Sequence, residues 1–210
     1  MSKRWLKAIL AVVLLAQARP SHAQTYGQFT SAECVPMSGH LFGGYLHASE
    51  NFLGLMAQLR LSFYPNIDFG FQGGLTRTDV GNHDITTLRV GGDLKCQVVR
   101  GKPMDVAIGA ALGVETGDNL HLLTLGPTLT VSRSFGNARG VGITPYGGLG
   151  LLFTNADLFD HQSTDFAVPF RFGAEFRLAP ELRLLGETQL RASDQYSDEF
   201  AFVTGVNLPF

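Results

Sequence analysis

The sequence predicts an all-β chain: a closed, antiparallel, up-and-down transmembrane β-barrel of about ten strands, with eight as the alternative. Three observations lead there. About ten segments alternate apolar with polar or small side chains at a period of two, as a strand does when its two faces meet different surroundings. Most run about 10–14 residues, near the length a tilted strand needs to cross a bilayer. Past the first few residues there is no apolar run long enough for a membrane helix, and the chain opens on a leader that would export it.

The leader is read from three parts. Lys3, Arg4 and Lys7 precede the apolar stretch Ala8–Ala16, and Ser21 and Ala23 then occupy the −3 and −1 positions of a small-x-small cleavage site. The apolar stretch is too short for a bilayer-spanning helix, which takes about 20 residues. No cysteine stands at the cleavage point, so no lipid anchor is expected there. The expected organisation is a signal peptide over 1–23, a periplasmic N-terminal segment over 24–38 and one barrel domain over 39–210. Losing Lys3, Arg4, Lys7 and Arg19 takes Lys+Arg from 16 to 12 against 18 Asp+Glu, a formal −6. Lys95 and Lys102 are then the only lysines, a scarcity unusual for a water-exposed surface.

The strands follow in order. The first is expected over 39–48. Over 52–64, Leu53, Leu55, Ala57, Leu59, Leu61 and Phe63 oppose Gly54, Met56, Gln58, Arg60 and Ser62. Over 67–76, Ile67, Phe69, Phe71 and Leu75 oppose Asp68, Gly70, Gln72 and Gly74. Over 86–99, Leu88, Val90, Leu94, Cys96 and Val98 oppose Arg89, Asp93, Lys95 and Gln97. Over 104–115, Met104, Val106, Ile108, Leu112 and Val114 oppose Asp105, Gly109, Gly113 and Glu115. Strands at 120–133 and 141–154 are less sharply patterned and rich in small residues. Over 165–178, Phe166, Val168, Phe170, Phe172, Phe176 and Leu178 oppose Arg171, Gly173, Glu175 and Arg177. Over 182–192, Leu182, Leu184, Thr188 and Leu190 oppose Arg183, Glu187, Gln189 and Arg191. The last strand, 198–210, sets Phe200, Phe202, Thr204, Val206, Leu208 and Phe210 against Glu199, Ala201, Val203, Gly205, Asn207 and Pro209.

Turn chemistry marks 64–66, 100–103, 135–140 and 178–181 through Pro, Gly and Asn. Longer polar loops are expected around Ser49 and over 78–85, 116–119, 155–164 and 193–197. One rim of tight turns and one of longer loops suits a membrane barrel, and an even strand count puts both termini on one side.

A soluble barrel alternates too, with its apolar face inward. Charges on the apolar face lie only at strand ends (Arg77, Arg100, Arg133), and the other face is crowded with small residues that suit a narrow bore. Phenylalanines gather near the ends of the apolar face: Phe63, Phe69, Phe135, Phe176 and Phe210 at one rim, Phe166, Phe200 and Phe202 at the other. That placement approximates an aromatic girdle. Closure satisfies every backbone amide inside lipid.

The alternating, aromatic-terminated last strand, with Phe202, Val206, Leu208 and Phe210, resembles the C-terminal signature of bacterial outer-membrane β-barrel proteins; Thr204 departs from it. By architecture the chain resembles the small-barrel families (OmpA-, OmpX- or Ail-type and related porin-like proteins). That resemblance implies the bacterial outer membrane as location, outer-membrane lipid and lipopolysaccharide as surroundings, and the barrel assembly machinery as the partner that reads the last strand. Oligomeric state is left open.

Fourteen charges fall on inward positions and balance seven to seven: Arg60, Asp68, Arg89, Asp93, Lys95, Asp105, Glu115, Arg171, Glu175, Arg177, Arg183, Glu187, Arg191 and Glu199. Buried charges must pair, because desolvation costs several kcal/mol per ion. A lumen largely filled by paired charges, in a protein with a structural or surface-interaction role, is the first expectation. A narrow porin-like channel for small polar solutes or cations is the second. Cys34 and Cys96 would be allowed a disulfide in an oxidising compartment; two unpaired thiols is the other reading, and spacing does not choose.

The longer-loop rim would be acidic, with Glu50, Asp79, Asp84, Glu115, Asp118, Asp157, Asp160, Asp165, Asp194, Asp198 and Glu199 against Arg77 and Arg191. His47, His83, His121 and His161 sit near it without ligand spacing, so no metal site is expected. His161-Gln-Ser163 weakly resembles the His-x-Ser of lipid A deacylases, and a lipid hydrolase is the third reading. A triad needs a carboxylate to orient the histidine, but Glu175, twelve residues beyond Ser163, is expected deep on an inward face, so His161 and Ser163 are read as loop residues. No nucleotide loop, redox motif or nucleic-acid patch is present. The expectation is therefore no enzyme, no cofactor, no catalytic residues and no nucleic acid.

Overall fold

The computed structural model describes residues 28–49, 52–80, 83–118, 120–136, 141–158, 161–193 and 199–210. The expected leader and the start of the expected N-terminal segment lie outside these. Ten strands make one closed wall: β1 (His40–Ser49), β2 (Phe52–Tyr64), β3 (Ile67–Val80), β4 (His83–Val99), β5 (Asp105–Gly117), β6 (Leu120–Ser132), β7 (Gly142–Gly150 continuing as Leu152–Leu158), β8 (His161–Ala179), β9 (Leu182–Ser193) and β10 (Glu199–Pro209). Phe135–Gly136 adds a two-residue rung that extends the β6–β7 hairpin. Each strand pairs antiparallel with the next. β10 returns to β1 with Leu41 opposite Pro209 and Ser49 opposite Ala201, which closes the sheet. Phe210 finishes the seam: its amide donates to the His40 carbonyl at 3.0 Å, the His40 amide donates back at 3.1 Å, and the two rings stack.

The pleat decides which side chain goes where. On β2, Leu53 and Leu55 are exposed at 55% and 66%, while Gly54 between them and Met56, Gln58 and Arg60 beyond them are buried. The same holds around the wall, where exposed apolar side chains include Phe71, Leu75, Val90, Leu112, Phe153, Phe172 and Phe200. A continuous apolar exterior on this scale has no stable home in water and belongs in hydrocarbon.

Two prolines account for the break in β7. Its register on β8 runs Phe170 opposite Leu149, then resumes with Ala167 opposite Leu152. Pro127 on β6 and Pro169 on β8 flank the gap, and neither has an N–H to donate. The Leu151 amide bonds the Pro127 carbonyl at 3.1 Å. The Leu151 carbonyl presses so close to Gly126 that any β-carbon there would overlap it. Three register shifts, at Leu61/Tyr64, Gln97/Val99 and Arg177/Ala179, lie at the rim that carries Phe210, here called the terminal rim. Bulges are frequent at barrel rims, where pairing ends.

The expectation of longer loops at the distal rim is corrected. Strands run on through most of that sequence: β3 reaches Val80, β4 begins at His83, β7 reaches Leu158 and β8 begins at His161. Two residues separate the strands at four of the five distal connections, and five separate β9 from β10. Residues 78–80, 116–117 and 161–164 extend ladders instead of leaving them, because each hairpin partner offers a matching edge.

Candidate functional site

The bore is filled in layers. Near the terminal rim, β2, β3 and β4 aim Arg60, Asp68, Asp93 and Lys95 at one another. The Arg60 guanidinium forks onto Asp93, with Nη2 2.7 Å from Oδ1 and Nη1 3.1 Å from Oδ2, and its Nε donates to Asp68 Oδ1 at 3.1 Å. The Lys95 ammonium lies 3.4 Å from the other Asp68 oxygen. All four are buried. Two cations face two anions, and the planar fork suits Arg to the shared position. Gly70 makes the room: a β-carbon there would collide with Asp93 and Arg60.

The space beside this cluster holds the chain's own N-terminal segment. Residues 28–36 run inside the bore toward the terminal rim before β1 begins. Lys95 Nζ donates to Thr30 Oγ1 and the Ser31 carbonyl at 3.1 Å and to the Glu33 carbonyl at 2.7 Å. The Ser31 amide donates to Glu175 at 2.6 Å, the Ala32 amide to Ser132 at 3.1 Å, and the Val35 amide to Asp68 at 3.0 Å. Asn207 donates to the Phe29 carbonyl at 3.2 Å. A segment with no strand partners has thus exchanged ladder bonds for wall side chains, as buried backbone must. The segment placed in the periplasm from sequence is, over its described part, largely inside the barrel.

At mid-height the filling turns apolar. Phe29 stacks on Tyr45 with ring centroids 4.5 Å apart, within a buried cluster that adds Met56, Tyr146, Leu185 and Val203. Phe29 takes a positive φ of 40°, unusual for a bulky residue. Such a conformation costs about 1–3 kcal/mol, a sum that burying a phenylalanine ring offsets. The phenol of Tyr45 donates to Asn207, and that of Tyr146 donates to Glu187 at 2.6 Å. Arg171 lies 3.7 Å from Glu187 and donates to Thr130 at 3.0 Å, stretched across Gly148 on β7.

Toward the distal rim, Asp165 pairs with Arg191 at 2.5 Å, and Glu115 accepts from Thr87 at 2.5 Å. Leu120, Leu122 and Ala156 pack together, as do Ala111, Leu152 and Ala167.

The inward charges read from sequence are placed inside. Arg60, Asp68, Arg89, Asp93, Lys95, Asp105, Glu115, Arg171, Glu175, Glu187 and Arg191 are buried, while Arg177 and Arg183 are half-buried, Arg183 lying 3.3 Å from Glu175. The side chain of Glu199 lies outside the described residues. Asp165 and Glu115, expected among the acids of the distal rim, are spent inside the bore. Asp165 shares its parity with Arg171, which was the available signal.

Cys34 and Cys96 are both unbridged. They lie on opposite sides of the wall: the Cys34 amide bonds the inward Gln97 side chain at 3.3 Å, while Cys96 sits on the outward parity between Lys95 and Gln97. Burial pushes the Cys34 thiol up to about 11, which favours its protonated form at neutral pH. Among the described residues no three His, Cys, Asp or Glu side chains gather to hold a metal. His47 is buried edge-on to Phe52, and His121 bonds Thr116 at 2.9 Å. The side chains of His83 and His161 lie outside the description. Glu175 is twelve residues along β8 from Ser163, about 40 Å at strand rise. It is engaged by Ser31 and Arg183 near the opposite rim, so it does not orient a histidine beside Ser163.

No family model matches the sequence, and no curated protein matches it. Solved structures do. LpxR from Salmonella typhimurium is 10% identical with a TM-score of 0.52, the match covering 99% of this chain and 96% of that one. The β domain of the Bordetella autotransporter BrkA is 12% identical with a TM-score of 0.52, over 82% and 98%. The chain also spans 62% of the length of a loop-deletion mutant of OmpT, an outer-membrane protein of Vibrio cholerae, at 11% identity and a TM-score of 0.38. With its apolar exterior, closed ten-stranded wall and charge-filled bore, the chain has the fold of the bacterial outer-membrane β-barrel proteins.

Proposed function

We propose that this protein is a sealed outer-membrane barrel with a structural or surface-interaction role, closed by paired charges and by its own N-terminal segment. The observation that carries the reading is the stacking of Phe29 on Tyr45 at mid-bore, inside a buried apolar cluster. Ions cross a barrel through water, and a dry layer across the bore is a barrier to them. The segment that supplies Phe29 is fixed by charges at Lys95, Asp68 and Glu175, so the dry layer is tied to the wall. Short distal connections leave little loop surface, which favours contact with lipid and lipopolysaccharide headgroups over deep recognition loops. No catalytic role is assigned to any residue. Planar-bilayer recording tests the reading: the intact protein is expected to give no steady single-channel steps, and regular steps would reject it.

The second reading, a narrow channel, is favoured by the mostly polar contacts of the segment, since polar contacts can be exchanged for water. The barrel assembly machinery is the proposed partner of the last strand. Phe210 is exposed at 71% and contributes its backbone to the β1–β10 seam. Deleting Phe210 is expected to lower the yield of the compact, heat-modifiable form in outer-membrane fractions, while F210Y largely preserves it.

A further inference from the structure

The lipid-facing wall is uneven near the terminal rim. An apolar groove of about 440 Å³ runs there from Met104, just before β5, across β6 and β7 to β8, floored by Val131 and Gly147 and walled by Met104, Pro145 and Phe172. Gly147 keeps it open: a β-carbon would meet only the Arg171 carbonyl and the Phe172 ring at 3.8 Å, so the space above is unfilled. A smaller groove of about 300 Å³ lies along the same strands between Ile143, Phe176 and the ring of Phe135. Arg133 lines the first groove, and its guanidinium carbon stands 5.1 Å from the centroid of Phe135, which lines the second. Arg133 is exposed, and so are Arg100 and Lys102, just before the groove residue Pro103. Glu33, the acid on the adjacent lip, is held by Ser134 at 2.5 Å.

We propose that this groove seats an anionic phospholipid of the leaflet at the terminal rim, an acyl chain lying over Gly147 and the phosphate meeting Arg133 and Lys102. The face points into hydrocarbon, so the occupant brings an apolar chain. The bases stand where the apolar belt ends, at headgroup depth. Aromatic and basic side chains at that depth are the usual membrane anchors, and a guanidinium donates to phosphate in a fork. A basic residue near an anionic surface is worth about fivefold in partitioning.

The test is native mass spectrometry of the intact barrel with phosphatidylglycerol or phosphatidylcholine of matched chains. The parent is expected to retain phosphatidylglycerol about fivefold better than phosphatidylcholine. R133Q is expected to weaken the preference, and R133Q with K102Q to remove it. G147L fills the groove and is expected to lower retention of both lipids. G186L adds the same side chain to another outward position with nothing within 4 Å, and is expected to behave as the parent. Equal retention of the two lipids by the parent overturns the proposal. So does a G147L that matches G186L, since attraction to the rim charges alone would then account for binding.

Discussion

Replacing Arg60 by alanine is expected to cost the refolded barrel about 3–5 kcal/mol of stability, because it strands two buried carboxylates. The guanidinium touches both Asp68 and Asp93 and also reaches the Gln28 carbonyl at 3.4 Å. All three side chains are closed to solvent, at 0% for Arg60 and Asp68 and 1% for Asp93. Without Arg60, Asp68 keeps only the Lys95 ammonium at 3.4 Å and the Val35 amide at 3.0 Å, both on its other oxygen. Adding D68N and D93N removes the stranded charge and is expected to recover much of the loss. Urea unfolding in lipid vesicles, read from gel migration with and without heating, gives both numbers. An R60A barrel as stable as the parent would mean that water reaches the cluster and that the bore is hydrated there.

Deleting residues 28–36 is expected to turn a silent barrel into a conducting one. The deletion removes Phe29 from the mid-bore cluster and frees Lys95, Glu175, Asn207 and Ser132 from the segment's backbone. The wall is expected to persist, since every strand keeps its ladder partners and the Arg60 fork is made mostly within the wall. Bilayer recordings should then show steady steps that the intact chain lacks. F29A should give an intermediate result, brief openings without a stable open level. A deleted protein that folds, as judged by heat-modifiable migration, yet stays silent would place the seal in the distal layer of Leu120, Leu122 and Leu152 instead.

The wall was legible in the sequence because its two faces meet two solvents. β2 is Phe52–Tyr64 as the alternation proposed, and β1, β6, β9 and β10 differ by a residue or so at their ends. β3, β4, β7 and β8 run longer than the pattern, since the polar residues after Thr76 or before Asp165 carry no apolar periodicity yet still pair across a hairpin. The inward charges were equally legible, because parity alone sorts them. Their partners were not: nothing in the spacing says that Arg60 serves Asp68 and Asp93 together, or that Tyr146 serves Glu187.

The N-terminal segment was the least legible part. Gln28, Thr30 and Ser31 fall in the segment expected in the periplasm, and their burial arises only once a closed wall supplies Lys95, Glu175 and Asp68 as partners. Gly109, Gly113, Gly126 and Gly148 belong to the small-residue inward face that the sequence shows, and they leave space beside the wall. Arg171 fills part of that space, lying across Gly148, and the amide of Gln28 fills another part, against Gly109 and Thr128.

The central claim is that hydrocarbon lies outside this wall and a packed, charge-paired filling lies inside. Tryptophan quenching by brominated lipid tests it most directly, with Trp5, the one tryptophan of the sequence, replaced by phenylalanine. Phe166, Phe170, Phe172 and Phe176 on β8 are changed to tryptophan one at a time. Each emission is expected to be quenched by bromines on the acyl chains, most strongly for the positions nearest mid-bilayer. Blue-shifted emission that brominated acyl chains leave untouched at all four positions would put these rings in a dry protein interior and contradict the account.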